Sequence, residues 1–158
     1  MINQLLNIPD NPLSVPEYRE WIDTTEQAVK ESCKTYDRHT AIKVGFTLEE
    51  ALTPGIYTRK LTMLPGALIF SKIHLQEHPF VITKGKVSVY DGEKCITIEA
   101  PYNGITKPGT KRVLYVHDET VWITFHPVEN ETLEDCDKNG VITCETFQEF
   151  ERGVKCLL

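Results

Sequence analysis

The sequence predicts a mainly β protein, an antiparallel sandwich or barrel, with one helix before the strands and a short helix after them. Three observations carry this. Short runs rich in β-branched and aromatic residues follow one another from about residue 42 to residue 127. Turn residues separate them at near-regular spacing, and no helical period intervenes. Helical patterning is confined to the two ends.

Residues 1–14 carry Pro9 and Pro12 among turn formers and read as an irregular arm. Pro16 then opens PEYREWIDTTEQAVKESCKTY, acidic early and lysine-bearing late, as the helix dipole favours. Tyr18, Trp21, Ile22, Ala28 and Val29 form its apolar stripe. The strand-like runs are IYTRKLTML, ALIFSKIHL, PFVITKG, KVSVYDG, KCITIEA, RVLYV and TVWITFHP. LPG, KG, DGEK, PYNG, KPGTK and HDE supply the turns, with Asp91-Gly92 making the clearest hairpin. RVLYV is apolar on both faces, so its outer face should be covered.

Beyond Pro127 the chain becomes acidic. Asp135, Asp137 and Asn139 alternate as in a calcium loop, but no fitting glutamate follows Gly140, which favours a surface loop. TCETFQEFERGV reads as a short helix capped near Gly153, with Phe147 and Phe150 on one face. The organisation is one domain: an arm and helix over 1–41, the barrel over 42–128, and a loop and short helix over 129–158.

The 158 residues carry a net charge of −6, which argues against nonspecific binding of nucleic acid or of anionic membrane. No apolar run approaches the length of a membrane-spanning helix, and the N-terminus lacks the pattern of a signal peptide. Cys33, Cys95, Cys136, Cys144 and Cys156 are odd in number and form no CxxC pair, so reduced thiols in a cytoplasm are expected. Cys95, inside KCITI, reads as a core residue. No nucleophile elbow, P-loop or dinucleotide-binding glycine pattern occurs.

The candidate site begins in SKIHLQEH, where Lys72, His74, Glu77 and His78 stand close together. From Gly66, five residues lead to Lys72, then His74, three residues to His78, and six to Gly85. That spacing resembles the first motif of the cupin superfamily, G-x5-H-x-H-x3-E-x6-G. The second motif, G-x5-P-x-G-x2-H-x3-N, aligns with Pro101, Lys107, Gly109, Arg112 and Val116, of which Gly109 alone matches. In overall look the chain also resembles small phage-encoded cupin-like proteins. The resemblance covers under half the chain and implies a double-stranded β-helix, or jelly-roll barrel; it leaves the activity open.

In metal-binding cupins two histidines, a glutamate and a further histidine point inward and hold one ion. The resemblance places Lys72, His74, His78 and Arg112 at those positions. Neither an ammonium nor a guanidinium offers a lone pair at neutral pH, so the inherited metal site is read as lost. Glu77 neighbours His78 and should point to the opposite face.

With strand phase preserved, Lys72, His74, His78 and Arg112 converge at one end of the barrel, above Phe70, Phe80, Ile82 and Leu114. The leading expectation is therefore a non-enzymatic cup for an anionic small molecule bearing phosphate or carboxylate. Lys72 and Arg112 would hold its charge, and His74, His78, Tyr57 and Phe80 would line it. A metal-dependent isomerase, epimerase or oxygenase using His74 and His78 with a divalent ion is the alternative. A closed barrel serving structure or protein interaction is the third reading, with a homodimer expected in any case. His39 and His117 read as connector and turn residues without a functional role, and His126, at the end of the last strand, reads as a capping or interface residue rather than a catalytic one.

Overall fold

The computed structural model describes residues 2–32, 45–136 and 143–157, with side chains to residue 152. Cys33, His39, Asp137, Asn139, Gly140 and the side chain of Cys156 lie outside the described residues. The mainly β, antiparallel architecture with helices at both ends is the one expected.

The N-terminal arm is not wholly irregular: α1 (Ile2–Leu6) buries Ile2 and Leu6. Helix α2 (Val15–Ser32) follows. A capping box starts it, because Glu17 Oε2 accepts from the Ser14 backbone N–H at 2.8 Å and from its hydroxyl at 2.5 Å. Tyr18 and Ile22 lie on its buried face as expected, but Ala28 is exposed and Glu26 takes the next buried place.

Seven strands form the main sheet: β1 (Phe46–Thr53), β2 (Ile56–Met63), β3 (Leu68–Phe70), β5 (His78–Tyr90), β6 (Cys95–Glu99), β7 (Tyr102–Thr106) and β8 (Val113–Pro127); β4 (Ile73–His74) pairs elsewhere. Its spine is the long antiparallel pair β5–β8. β2 and β3 flank β8, β1 pairs with β2, and β6 and β7 pair with opposite halves of β5. β4 pairs with β9 (Thr143–Cys144), just before the C-terminal helix α3 (Phe147–Leu157).

Two expected turns are bends inside continuous strands. KG lies within β5, and HDE lies within β8. The bends oppose each other across the ladder, where the register shifts between Ile82 and Val87. Gly85 sits there with φ +93°, and a Cβ would come within 2.7 Å of the Thr120 Cα. The shift keeps both halves of β5 facing inward: His78, Phe80 and Ile82 before it, Val87 and Val89 after it.

The apolar residues fall into two layers. Met63, Phe80, Ile82, Val87, Val89, Leu114, Val116 and Trp122 fill the interior. Phe70, Ile73, Tyr90 and Val113 pack outward against α1, α2 and Phe147 of α3, which is the cover that RVLYV demanded. Phe70 therefore does not line the cup, and Ile69 packs inward instead. Alternation breaks at Ser71 and Lys72, so Phe70 and Ile73 both face the helices. Helix α3 runs on through Gly153 rather than ending there. FTLEEALT forms strand β1, and YNGIT forms strand β7 rather than a turn. Cys95 is exposed, not core.

Lys111 joins the layers. Its ammonium is almost fully buried and reaches Asp23 Oδ1 at 2.8 Å, Glu26 Oε2 at 2.5 Å and the Glu145 carbonyl at 2.9 Å. Asp23 Oδ2 accepts from the Phe147 N–H, and the Tyr18 hydroxyl donates to the Lys111 carbonyl at 2.6 Å. Removing the cation leaves two carboxylates facing each other in a poorly solvated site. Lys111→Met should destabilise the protein by about 3 kcal/mol or more in urea unfolding, and adding Asp23→Asn with Glu26→Gln should recover much of the loss.

A histidine cluster between two arginines

Three strand ends bring His74, His78 and His126 together. His74 ends β4, where pairing with Thr143 of β9 and a hydrogen bond from the Gly109 N–H to its carbonyl fix the backbone. His78 opens β5 and faces Thr106 of β7. His126 lies at the end of β8, opposite Tyr57 of β2. The ring centroids are 4.5 Å apart for His74 and His78, 4.3 Å for His78 and His126, and 5.6 Å for His74 and His126. One ring nitrogen from each lies within 4.8 Å of the others.

Burial shifts all three imidazoles toward the neutral form. Burial pushes His74 down to about 3, helped by His78, His126, Arg59 and Arg112. Burial takes His126 to about 3 as well, with His78 and Arg59 adding to the effect. His78 is lowered by burial, against an opposing hydrogen bond with the Gln76 carbonyl. That bond, at 3.2 Å, puts the proton on His78 Nδ1 and leaves a lone pair on Nε2. His126 Nε2 lies 2.9 Å from Thr124 Oγ1.

Two guanidinium groups flank the cluster. Arg112 donates to Thr106 Oγ1 at 3.0 Å and stacks over Phe80 at 5.6 Å; burial lowers its pKa. No carboxylate among the described residues lies within ion-pair distance of it. Arg59, on the inward face of β2 with Tyr57, has a buried Nε without a hydrogen-bond partner. Its counter-ion Glu50 stands 3.8 Å away and also accepts from the Tyr57 hydroxyl. Phe80 and Trp122 stack below, 4.5 Å apart.

Of the residues singled out in the sequence, His74, His78 and Arg112 meet here, with Phe80 beneath Arg112 and Tyr57 6.1 Å from the His126 ring. Lys72 instead pairs with Glu145 at 3.3 Å. Glu77 points outward and holds Lys107 at 2.7 Å, as its phase required. His126 and Arg59 were missed. His126 is in strand phase with Arg112 and Leu114, and reading HDE as a turn hid that. Arg59 lies two residues from Tyr57 on the same face. His117 sits within β8, not in a turn, and its Nε2 lies 2.7 Å from Ser88 Oγ.

No family model and no curated protein matches the chain. Solved structures that resemble it include a cupin-2 domain-containing protein from Shewanella frigidimarina, at 10% identity over 62% of this chain and 98% of that one, with a TM-score of 0.45. KdgF from Halomonas sp. gives 11%, 60%, 87% and 0.47. A cupin 2 domain-containing protein from Halorhodospira halophila gives 12%, 61%, 77% and 0.46. No residue role is carried over from them.

Histidines at about 3 in the native state and about 6.5 when unfolded bind fewer protons folded than unfolded between those limits. Stability therefore rises with pH up to about 6.5 and is lost on acidification below it. For chelator-treated protein the fall from pH 7 to pH 5 should be about 2 kcal/mol or more, read from urea midpoints. In His126→Asn the same drop should be smaller; equal midpoints at the two pH values would contradict neutral burial.

Proposed function

We propose that the chain is a non-enzymatic binder of a small anionic molecule, bearing carboxylate or phosphate, seated over the histidine cluster between Arg59 and Arg112. The observation that carries this is a pair of partly buried guanidinium groups that carboxylates match only loosely, Glu50 for Arg59 and the more distant Asp91 for Arg112. Arg112 has no carboxylate at ion-pair distance among the described residues, and Arg59 has Glu50 only at 3.8 Å, shared with Tyr57. Partly buried cations without close counter-ions are costly, and an anion gripped by planar guanidinium forks relieves that cost. His74 and His78, being neutral, add hydrogen-bonding capacity without more charge. Lys72 was also expected to hold charge, but Glu145 already matches it, which makes Arg59 the better second cation.

The same three imidazoles favour metal-dependent chemistry as the second reading, since neutral imidazole suits zinc, iron, nickel and copper. A homodimer is the partner state proposed with either reading. Exposed Ile56, Leu64 and Ile105 supply apolar surface of the kind a second copy would cover.

The anion reading is tested by thermal shift on chelator-treated protein with inorganic phosphate, oxalate and citrate. An anion at 100 times its Kd should stabilise by about 2.7 kcal/mol. Arg112→Ala and Arg59→Ala should each weaken it at least tenfold. No shift with any of the three, or a shift that survives both substitutions, would overturn the reading.

A further inference from the structure

We propose that His74, His78 and His126 form a site for one divalent transition-metal ion, with His126 as the ligand that completes it. This does not rest on the anion reading. It also differs from the site the family motifs describe, in which the places of Lys72 and Arg112 would be ligands. Here both places hold cations, and position 126 lies outside both motifs.

The donor chemistry fits. Three nitrogens bound to one ion at about 2.1 Å lie roughly 3 to 3.5 Å apart. The observed spacing, within 4.8 Å, leaves a gap short enough that side-chain rotation would close it without moving strands. The donors come from three strand ends, β4, β5 and β8, each fixed by its own ladder. His78 is pre-set by the Gln76 carbonyl, the kind of outer contact that orients a ligating imidazole. In the tautomer that donates Nε2–H to Thr124 Oγ1, His126 keeps a lone pair on Nδ1. The His74 ring makes no hydrogen bond among the described residues, so its nitrogens have no competing role there.

A packed histidine core is the plain alternative, but it accounts poorly for the chemistry of the group. Three imidazoles meet at one point with one carbonyl and one hydroxyl between them as partners, and their remaining nitrogens are not sealed from solvent, since Arg59 Nε is the buried side-chain nitrogen without a partner among the described residues. An all-imidazole set without carboxylate or thiolate selects zinc, nickel, cobalt or iron over calcium and magnesium. Three protein ligands leave a coordination position open. Arg59 and Arg112 stand near the imidazoles, so an anion would suit as the extra ligand, and metal and anion should strengthen each other's binding.

The test uses tag-free, full-length protein stripped with chelator. Titration with cobalt(II) should show one equivalent bound with a visible d–d spectrum, displaced by zinc(II). His126→Ala should lower the cobalt affinity at least tenfold and change the spectrum. His74→Ala, at a less buried position, gives the same readout should His126→Ala fail to fold. Magnesium should not compete. Binding well below one equivalent, or binding indifferent to both substitutions, would overturn the proposal. Since the anion thermal shift is measured without metal, failure of this site leaves that result standing, and the reverse also holds.

Discussion

The ammonium of Lys111 is the contact on which the rest of the structure depends. It is sealed between Asp23 and Glu26 of α2 and the Glu145 carbonyl that precedes α3. A cation so placed is tolerable only with its partners in position. It therefore ties three separate parts of the chain to one point: the N-terminal helix, the C-terminal segment and the loop that enters β8. The site depends on all three. Arg112 is the next residue, Glu145 holds Lys72, and the neighbouring Thr143 pairs with His74. Gly109, in the same loop, also donates to the His74 carbonyl. The helices are thus more than a cover for the outer apolar layer. They set where one histidine and one arginine of the cluster stand.

The second constraint is the shared bend of β5 and β8. A tight backbone approach at Gly85 lets both strands turn without ending, and the register shift restores inward facing on either side. Without it, the apolar interior around Val87 and Val89 and the polar end around His78 and His126 could not belong to the same pair of strands.

This bend also explains what was legible in the sequence. Strand-forming runs were visible because β-branched residues alternate, and most were placed correctly. Lys-Gly and His-Asp-Glu read as turns because a bend and a turn demand the same residues: a glycine free to take positive φ, or polar groups near solvent. Splitting β8 in this way cost the phase that runs from Arg112 through Leu114 to His126, and with it the third histidine. FTLEEALT was missed because glutamate, alanine and leucine favour helix, whereas here they occupy an edge strand whose partner β2 decides the outcome. Lys72 was placed by strict alternation, which two irregular residues broke. Lys111 gave no signal, since nothing local marks a lysine whose two carboxylates lie 85 or more residues away.

What the cupin-like motifs describe and what this chain carries differ in charge more than in position. The motif pattern would place a carboxylate among imidazoles, an anionic set that offsets part of an ion's charge. Here His78 stands in the carboxylate's place, Arg112 stands in a histidine's, and Arg59 adds a second cation beside His126. The imidazoles are then neutral and their surroundings positive. Such surroundings lower the affinity of the imidazoles for a divalent ion and favour a small anion beside it. Each positive charge added to the cup raises the gain from a negative one. A metal ion and an anion, if both are bound as proposed, would therefore each raise the affinity of the other by the same factor.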